Sequence, residues 1–225
     1  MHYRFCFERN SDNFFFQTRT MPKHLHSIDS QVLKRINQKG EGWVFTPSAF
    51  ADLGSRNAVD LALMRQKRSG KIRQLARGLY DHPRRHPKLG LLAPSPEAVA
   101  DALKGSEAIR LQPSGAYAAN LLGLSEQVPV KVVFLTDGPS RRVAIGKQEL
   151  ILKRTTPRNM ATAGKASGLV IQALRDLGRR NVDDTVVRTL KKKLSDDDKE
   201  QLIKDLRYAP AWIAEVMRRI AAPAQ

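Results

Sequence analysis

The sequence predicts an α+β protein with two unlike halves. Between residues 27 and 80, residues that cap helices alternate with glycines that end them, and two short strands follow. Beyond residue 92, Val-rich strand patterns give way after Thr162 to helical periodicity. The expected fold is therefore a helical unit with a small hairpin, followed by a small, mostly antiparallel sheet and a helical tail.

Composition favours a polyanionic partner. The 225 residues carry a formal net charge of +17 with an isoelectric point near 10.4, and such a surplus favours nucleic acid or an anionic membrane surface. Hydrophobic residues form 41% of the chain, which is enough for packed cores. No run approaches the roughly 20 apolar residues that cross a bilayer, so no membrane-spanning segment is expected. Of the two polyanionic partners, we expect DNA and no membrane. The single cysteine, Cys6, fits a reducing cytoplasm.

The stretch from Ser27 to Lys39 predicts the first helix. Ser27 is an N-cap residue, Gly40 ends the helix, and apolar residues recur between them at helical spacing. The apolar run Trp43–Phe45 predicts a short strand that pairs with the later hairpin. We expect Trp43 to pack in the core rather than to offer a platform for base stacking.

Two further helices and a hairpin follow. Thr46 and Pro47 begin a brief helix, which Gly54 is expected to end in the left-handed conformation. A second helix is expected over 58–68, and two short strands joined by a turn at Gly78 come after it. Helix, glycine-containing turn, helix and basic hairpin together predict a winged helix-turn-helix, a shape that reads DNA.

Positive charge is concentrated on this motif. Residues 21–90 hold 14 Lys and Arg against 5 Asp and Glu, whereas residues 91–225 hold 22 against 15. Arg and Asn at the start of a recognition helix are suited to guanine and adenine, so Arg56 and Asn57 are the candidate base readers. The outward face of this helix also carries Asp60, Arg65 and Arg68. The side chains expected on phosphates, which position a protein without reading sequence, are Lys67, Lys71, Arg73 and Arg77. Each of these charges, taken singly, also fits a solvated surface.

The second half predicts strands at 108–111 and 130–135 and a hairpin from Arg142 to Lys153. The expected helices span residues 97–104, 116–122, 164–177, 182–193, 196–206 and 211–220. The predicted organisation is an arm over 1–22, a winged helix-turn-helix domain over 23–92 and a C-terminal domain over 93–225. The arm is aromatic-rich and irregular, so we expect it either to be poorly ordered or to precede a native start at Met21.

The turn Asp137–Arg142 carries two arginines between strands. Backbone amides and arginine in such a loop can hold a phosphate, and an ordinary hairpin with solvated arginines fits equally well. Arg141 and Arg142 are therefore candidates for a second DNA-facing or partner-facing patch. The other basic residues assigned to that patch are Lys147, Lys153, Arg154 and Arg158.

The sequence contains no convincing catalytic constellation. It has no Walker loop, dinucleotide fingerprint or zinc-protease motif. The acidic run Asp196–Asp198 opens a helix, where the helix dipole favours acids, and Ser195 with Asp198 predicts a capping box. The two histidines within 82–87 lie among prolines and predict a basic linker rather than a metal site. We expect no enzymatic activity, no cofactor and no metal.

Two stretches resemble a known family. The run GWVFTPSAFADLGSRNAVDLALMRQKRSGKIRQLARGLYDHP is similar to the N-terminal winged-helix domain of AbiEi-type antitoxins. The residues that carry this likeness are Thr46, Phe50, Leu53, Gly54, Gly70, Ile72, Leu75, Arg77, Gly78, Leu79 and Tyr80. The run LQPSGAYAANLLGLSEQVPVKVVFLTDGPSR is similar to the C-terminal domain of the same group, through Ala118, Gly123, Leu124 and Pro129. Together the two stretches cover most of residues 27–160.

The resemblance implies an antitoxin of a bicistronic type IV toxin–antitoxin system linked to abortive phage infection. In such families the antitoxin represses its own operon by binding inverted repeats in double-stranded DNA. It counteracts a nucleotidyltransferase-like toxin, generally without a stable complex, and its C-terminal domain is linked with antitoxicity and further DNA contacts. The alternatives are a winged-helix regulator without an antitoxin role, a protein-interaction adaptor, and an enzyme that acts on nucleic acid.

Overall fold

The computed structural model describes residues 27–105 and 109–223. The fold is α+β, as predicted, with the strands in the first two thirds and helices toward the end. The α-helices of this part of the chain are α1 (Ile28–Lys39), α2 (Arg56–Arg68), α3 (Pro96–Lys104), α4 (Ala116–Leu121), α5 (Pro157–Met160), α6 (Ala166–Leu177), α7 (Asp184–Lys193), α8 (Asp196–Lys204) and α9 (Ala211–Ala221). Its strands are β1 (Val44–Phe45), β2 (Arg73–Ala76), β3 (Leu79–Asp81), β4 (Arg85–His86), β5 (Gly90–Leu91), β6 (Leu111–Ser114), β7 (Lys131–Thr136), β8 (Arg141–Ile145) and β9 (Gln148–Arg154). The predicted arm over 1–22 lies outside the described residues.

The first half has an order of elements that is compatible with a winged helix-turn-helix. The Ser27 hydroxyl caps α1 by accepting the N–H of Ser30 at 3.2 Å, and Gly40 ends that helix. The strands form an antiparallel sheet in the order β1-β3-β2, in which β1 pairs with the hairpin as predicted. A 3-10 turn joins β1 to α2.

The turn before α2 differs from the prediction. The helix expected over 48–53 is a 3-10 turn over Pro47–Phe50, and Gly54 does not take the expected left-handed conformation. Glycine fits position 54 for a reason of space, because a Cβ there would lie 2.6 Å from Cδ1 of Ile28 in α1. A larger residue at position 54 would therefore require the end of the Ile28 side chain to move.

The linker predicted around His82–Pro87 is instead a small hairpin, formed by β4 and β5. Its turn is fixed by His86, whose Nδ1 accepts the backbone N–H groups of Lys88 and Leu89, each at 3.2 Å. By accepting two backbone N–H groups of the turn, the His86 side chain stabilises this hairpin of two short strands. The sequence pattern did not reveal this contact.

The second half contains the predicted mostly antiparallel sheet, in the order β6-β7-β9-β8. The outer pairs are antiparallel, the hairpin of β8 and β9 is confirmed, and the central pair β7–β9 is parallel. The strand predicted at 108–111 is wrong: β6 runs from Leu111 to Ser114 and includes Pro113. Because β6 is an edge strand, it tolerates the missing proline N–H.

Three clusters of buried side chains hold these elements together. One fills the space between α1, α2 and the first sheet, where the Trp43 and Phe45 ring centroids lie 4.4 Å apart, so Trp43 packs as predicted. Another fills the helical tail, where the capping box of Ser195 and Asp198 is also confirmed. The third joins the two halves, since it unites Val44 and Leu79 of the first sheet with side chains of the second sheet.

The first sheet is therefore covered on both faces. Neighbouring residues of a strand point to opposite faces, and here Phe45 faces the α1–α2 core while Val44 faces the second half. The division at residue 92 stays a prediction, but packing across it is direct. No helix among residues 27–105 and 109–223 is both long and apolar enough to cross a membrane.

A buried ion pair ties the hairpin of β2 and β3 to the chain that follows it. Asp81 is 1% exposed, and its carboxylate accepts hydrogen bonds from Arg73 Nη2 at 2.6 Å and Nε at 3.1 Å. Arg73 Nη2 also donates to the Leu92 carbonyl at 2.9 Å. The hydrogen bonds that Arg73 donates to Asp81 raise the pKa of Arg73, although burial opposes this effect.

We predict that Arg73→Ala lowers the free energy of unfolding by about 3 kcal/mol, because it leaves the buried Asp81 carboxylate without its counter-charge. Urea titration followed by circular dichroism measures this loss. The matched control is Arg77→Ala, which removes an exposed arginine from the same hairpin and should change stability by less than about 0.5 kcal/mol. Equal, small losses for both variants would contradict the structural role of Arg73.

Candidate nucleic-acid interface

The outward face of α2 is a stripe of four side chains. The Ser55 hydroxyl caps the helix by accepting the N–H of Ala58. The inward face is buried, through Val59, Ala62 and Leu63. Residues at spacings of four, three and four lie along one side of a helix. The side opposite the buried face consists of Asn57, Leu61, Met64 and Arg68, all of them exposed.

Basic side chains flank this outward stripe on both sides. Arg56 Nε lies 2.9 Å from Asp60 Oδ2, in a pair whose side chains are 65% and 45% exposed. Lys67 Nζ donates to Gln74 Oε1 of β2 at 2.7 Å, on the hairpin side. Arg65 donates to Asp29 of α1 on the other side. Exposed ion pairs contribute less than about 1 kcal/mol, so a phosphate or a base can replace these partners at little cost.

Lys71 and Arg77 extend the basic surface beyond the helix. Lys71 follows α2 directly, and Arg77 lies in the turn between β2 and β3; both side chains are exposed. Gly78, with φ of 69°, supplies the left-handed residue that this tight turn needs. Arg68, Lys71 and Arg77 form no ion pair with any residue in the described ranges, so their charge is available to an anionic partner.

Arg73 differs from the other predicted phosphate contacts. Its guanidinium donors are directed at Asp81 and at the Leu92 carbonyl. Turning that guanidinium toward DNA would leave a buried carboxylate unpaired, which costs several times more than breaking an exposed pair. We therefore assign Arg73 to the stability of the hairpin and leave it out of the proposed interface.

The two arginines of β8 do not share a face. Arg141 Nη2 donates to the Arg77 carbonyl at 2.9 Å and so links the second sheet to the turn between β2 and β3. Arg142 is exposed on the opposite face, with its Nη1 4.0 Å from Glu149 Oε1. The structure thus brings Arg141, but not Arg142, next to the surface around α2.

Further arginines gather around the short helix α5. Arg110 Nη1 donates to the Met160 carbonyl at 3.1 Å, and Arg175 Nη1 donates to Asn159 Oδ1 at 3.3 Å. Arg158 donates to the Arg207 carbonyl at 3.3 Å. The sequence pointed to Arg158 alone, because the other three come from distant parts of the chain and meet only in the folded protein.

An enzyme that acts on nucleic acid would need free carboxylates, and two candidates, Asp137 and Asp198, have structural partners instead. Asp137 accepts hydrogen bonds from Arg110 Nε and from the Arg110 backbone N–H, both at 2.8 Å, and these bonds lower the pKa of Asp137. Asp198 accepts the N–H of Ser195 in the capping box. Within residues 27–105 and 109–223, no group of three or more His, Cys, Asp and Glu is arranged to hold a metal ion.

A family model matches residues 31–202, which is more than half of the chain. The family is described as a family of unknown function, DUF6088. This chain belongs to the DUF6088 family. No curated protein matches it. In this DUF6088 chain the matched range runs from within α1 to within α8, so it includes the α2 surface, the hairpin and the second sheet.

The DNA-binding residues predicted for this DUF6088 chain did not include Leu61 and Met64, because only charged and amide side chains were candidates. Helical spacing alone would have found them, since they follow Asn57 by four and seven residues. The contact of Arg141 with Arg77 had no sequence signal, because it joins residues that are 64 positions apart.

We predict that Arg141→Ala loosens the turn between β2 and β3. Losing a hydrogen bond worth about 1 kcal/mol should speed amide exchange at Gly78 and Leu79 about fivefold. Hydrogen–deuterium exchange with mass spectrometry measures this change. Arg142→Ala is the control, since it removes the neighbouring arginine from the other face, and exchange in the turn should stay unchanged. Equal effects of the two substitutions would show that the contact does not order the turn.

Proposed function

We propose that this chain is a sequence-specific, double-stranded DNA-binding protein that represses its own operon and serves as the antitoxin of a type IV toxin–antitoxin system. Its winged helix-turn-helix places α2 in the major groove. Arg56 and Asn57 read bases, while Arg65, Lys67, Arg68, Lys71 and Arg77 contact phosphates. Asp60 holds Arg56 in the unbound protein. The protein acts in the cytoplasm as a binding protein, without catalysing a reaction.

The observation that carries the DNA-binding proposal is the outward surface of α2. Its acidic side chain, Asp60, is already paired with Arg56, and the nearby Asp29 is paired with Arg65. The charge left over is positive and continues through Arg68, Lys71 and Arg77. A helix that presents Arg and Asn at its start and cations at its end suits a DNA groove lined by phosphates.

The antitoxin role rests on the resemblance to AbiEi-type antitoxins. The two stretches that carry it form the first unit, from β1 to β3, and the start of the second sheet. The proposed functional partner is a nucleotidyltransferase-like toxin encoded beside this chain, which it counteracts without a stable complex. The proposed DNA target is an operator with inverted repeats.

We predict that Arg56→Ala weakens binding to the preferred duplex about fivefold or more, because an arginine–guanine contact discriminates by about 1–3 kcal/mol. Binding to a scrambled duplex should change much less. Lys71→Ala should weaken both duplexes to a similar degree and should reduce the slope of log affinity against log salt by about 1.

Fluorescence anisotropy of labelled duplexes at several fixed salt concentrations measures both effects. The control is Lys204→Ala, which removes an exposed lysine from α8, far along the chain from α2, and should leave affinity unchanged. Equal losses on the two duplexes for Arg56→Ala would refute its assignment as a base reader. Binding that does not depend on salt would refute the DNA-binding proposal and favour a protein-interaction adaptor.

We predict that the full chain restores growth to cells that express the adjacent nucleotidyltransferase-like toxin. Growth curves of cells with the toxin alone, with the chain alone and with both measure the rescue. A chain with Arg56→Ala should still rescue growth from a foreign promoter, because the proposed antitoxicity does not act through the operator. DNA binding without any rescue would leave a winged-helix regulator and remove the antitoxin role.

A further inference from the structure

Two large apolar side chains lie in the middle of the outward stripe of α2. Leu61 is 48% exposed and Met64 is 38% exposed, and neither belongs to the buried clusters of the fold. They lie between Asn57 at the start of the stripe and Arg68 at its end. Burying exposed apolar side chains against a partner is favourable. The stripe is therefore polar at its ends, and its centre favours an apolar contact.

We propose that Leu61 and Met64 recognise thymine methyl groups in the major groove and so make α2 selective for thymine at the centre of its site. This inference rests on the proposed DNA-binding function. The thymine C5 methyl is the apolar group that a base pair presents in the major groove, and the minor groove has no counterpart. Side chains without hydrogen-bonding groups therefore have one chemical match on a base edge.

The spacing of the two residues fits neighbouring base pairs. Three residues of helix rise about 4.5 Å, which is close to the roughly 3.4 Å between successive bases of a strand. Leu61 and Met64 are therefore expected to contact methyl groups at two adjacent or nearly adjacent positions. Arg56 and Asn57, one turn earlier, would read the neighbouring positions.

Charge argues against the main competing occupant, a second copy of the chain. A symmetric contact through Leu61 and Met64 would bring the same surface of both copies together. Asp60 and Asp29 already pair with Arg56 and Arg65, so among the described residues the uncompensated cations of each surface are Lys67 beside the apolar pair and Arg68 at its end. Such a contact would oppose like charges, whereas a DNA groove opposes these cations with phosphates.

The test begins with duplexes that the full chain retains from a randomised pool. In the tightest of these, each thymine is replaced in turn by deoxyuridine, which keeps base pairing and removes only the C5 methyl group. Anisotropy titrations compare the wild-type chain, Leu61→Ala and Met64→Ala on every duplex. Thermal unfolding checks that both variants are folded. Leu61→Met tests whether another apolar side chain keeps the binding.

The wild-type chain should bind about three- to fivefold more weakly to deoxyuridine at one or two central positions, as expected for one uncovered methyl group. Leu61→Ala should bind the thymine duplex equally weakly and should no longer respond to deoxyuridine at one of these positions. Met64→Ala should lose the response at the other. The matched control is Ile203→Ala, which removes an apolar side chain of similar exposure, 47%, from α8 and should keep the full response.

Four outcomes would overturn the inference. Sequence-selective binding that ignores every deoxyuridine would remove it and leave the proposed DNA-binding function in place. A response that persists in both alanine variants would also remove it. Sedimentation showing a dimer that Leu61→Ala or Met64→Ala converts to monomer would assign the pair to self-association instead. Retention of no duplex at all would remove the proposed function together with the inference.

Discussion

The rest of the structure depends on how the buried carboxylate of Asp81 is paired. Arg73 neutralises it from the neighbouring strand and also holds the Leu92 carbonyl, so one guanidinium joins β2, β3 and the chain that enters the second half. The sheet held in this way is packed on both faces. Because α2 packs on one face and the second sheet on the other, the position of α2 relative to the second half is fixed by apolar contacts rather than by a linker.

Local sequence signals predicted most of the fold. Helix caps at Ser27 and Ser195 marked two helix starts correctly, because a cap depends on residues within one turn. The errors lie where distant residues decide the outcome. Gly54 lies against Ile28 of α1 instead of taking the left-handed conformation, and the strand expected at 108–111 lies instead at Leu111–Ser114, where it pairs with β7. Neither leaves a periodic pattern in the chain.

The candidate interface was predictable in outline and not in detail. Its helix, its basic residues and its hairpin follow from composition and spacing, but the partner of each arginine does not. Arg73 and Arg77 are four residues apart in one basic hairpin and are alike in sequence terms. The first faces a buried acid and the second faces solvent. That difference comes from the tertiary burial of Asp81, which an alternating strand pattern of three residues cannot reveal.

Free energy separates the arginines that can exchange partners from those that cannot. The exposed pair of Arg56 and Asp60 is worth less than about 1 kcal/mol, so Arg56 can exchange Asp60 for another partner at little cost. Breaking the buried pair of Arg73 and Asp81 costs about 3 kcal/mol or more, which exceeds what one phosphate contact returns. The burial of the acidic partner therefore decides which arginines of this surface can bind something else and which are held in place. By that criterion the exposed ion pairs of α2, which lie beside its uncovered Leu61 and Met64, can exchange partners at little cost.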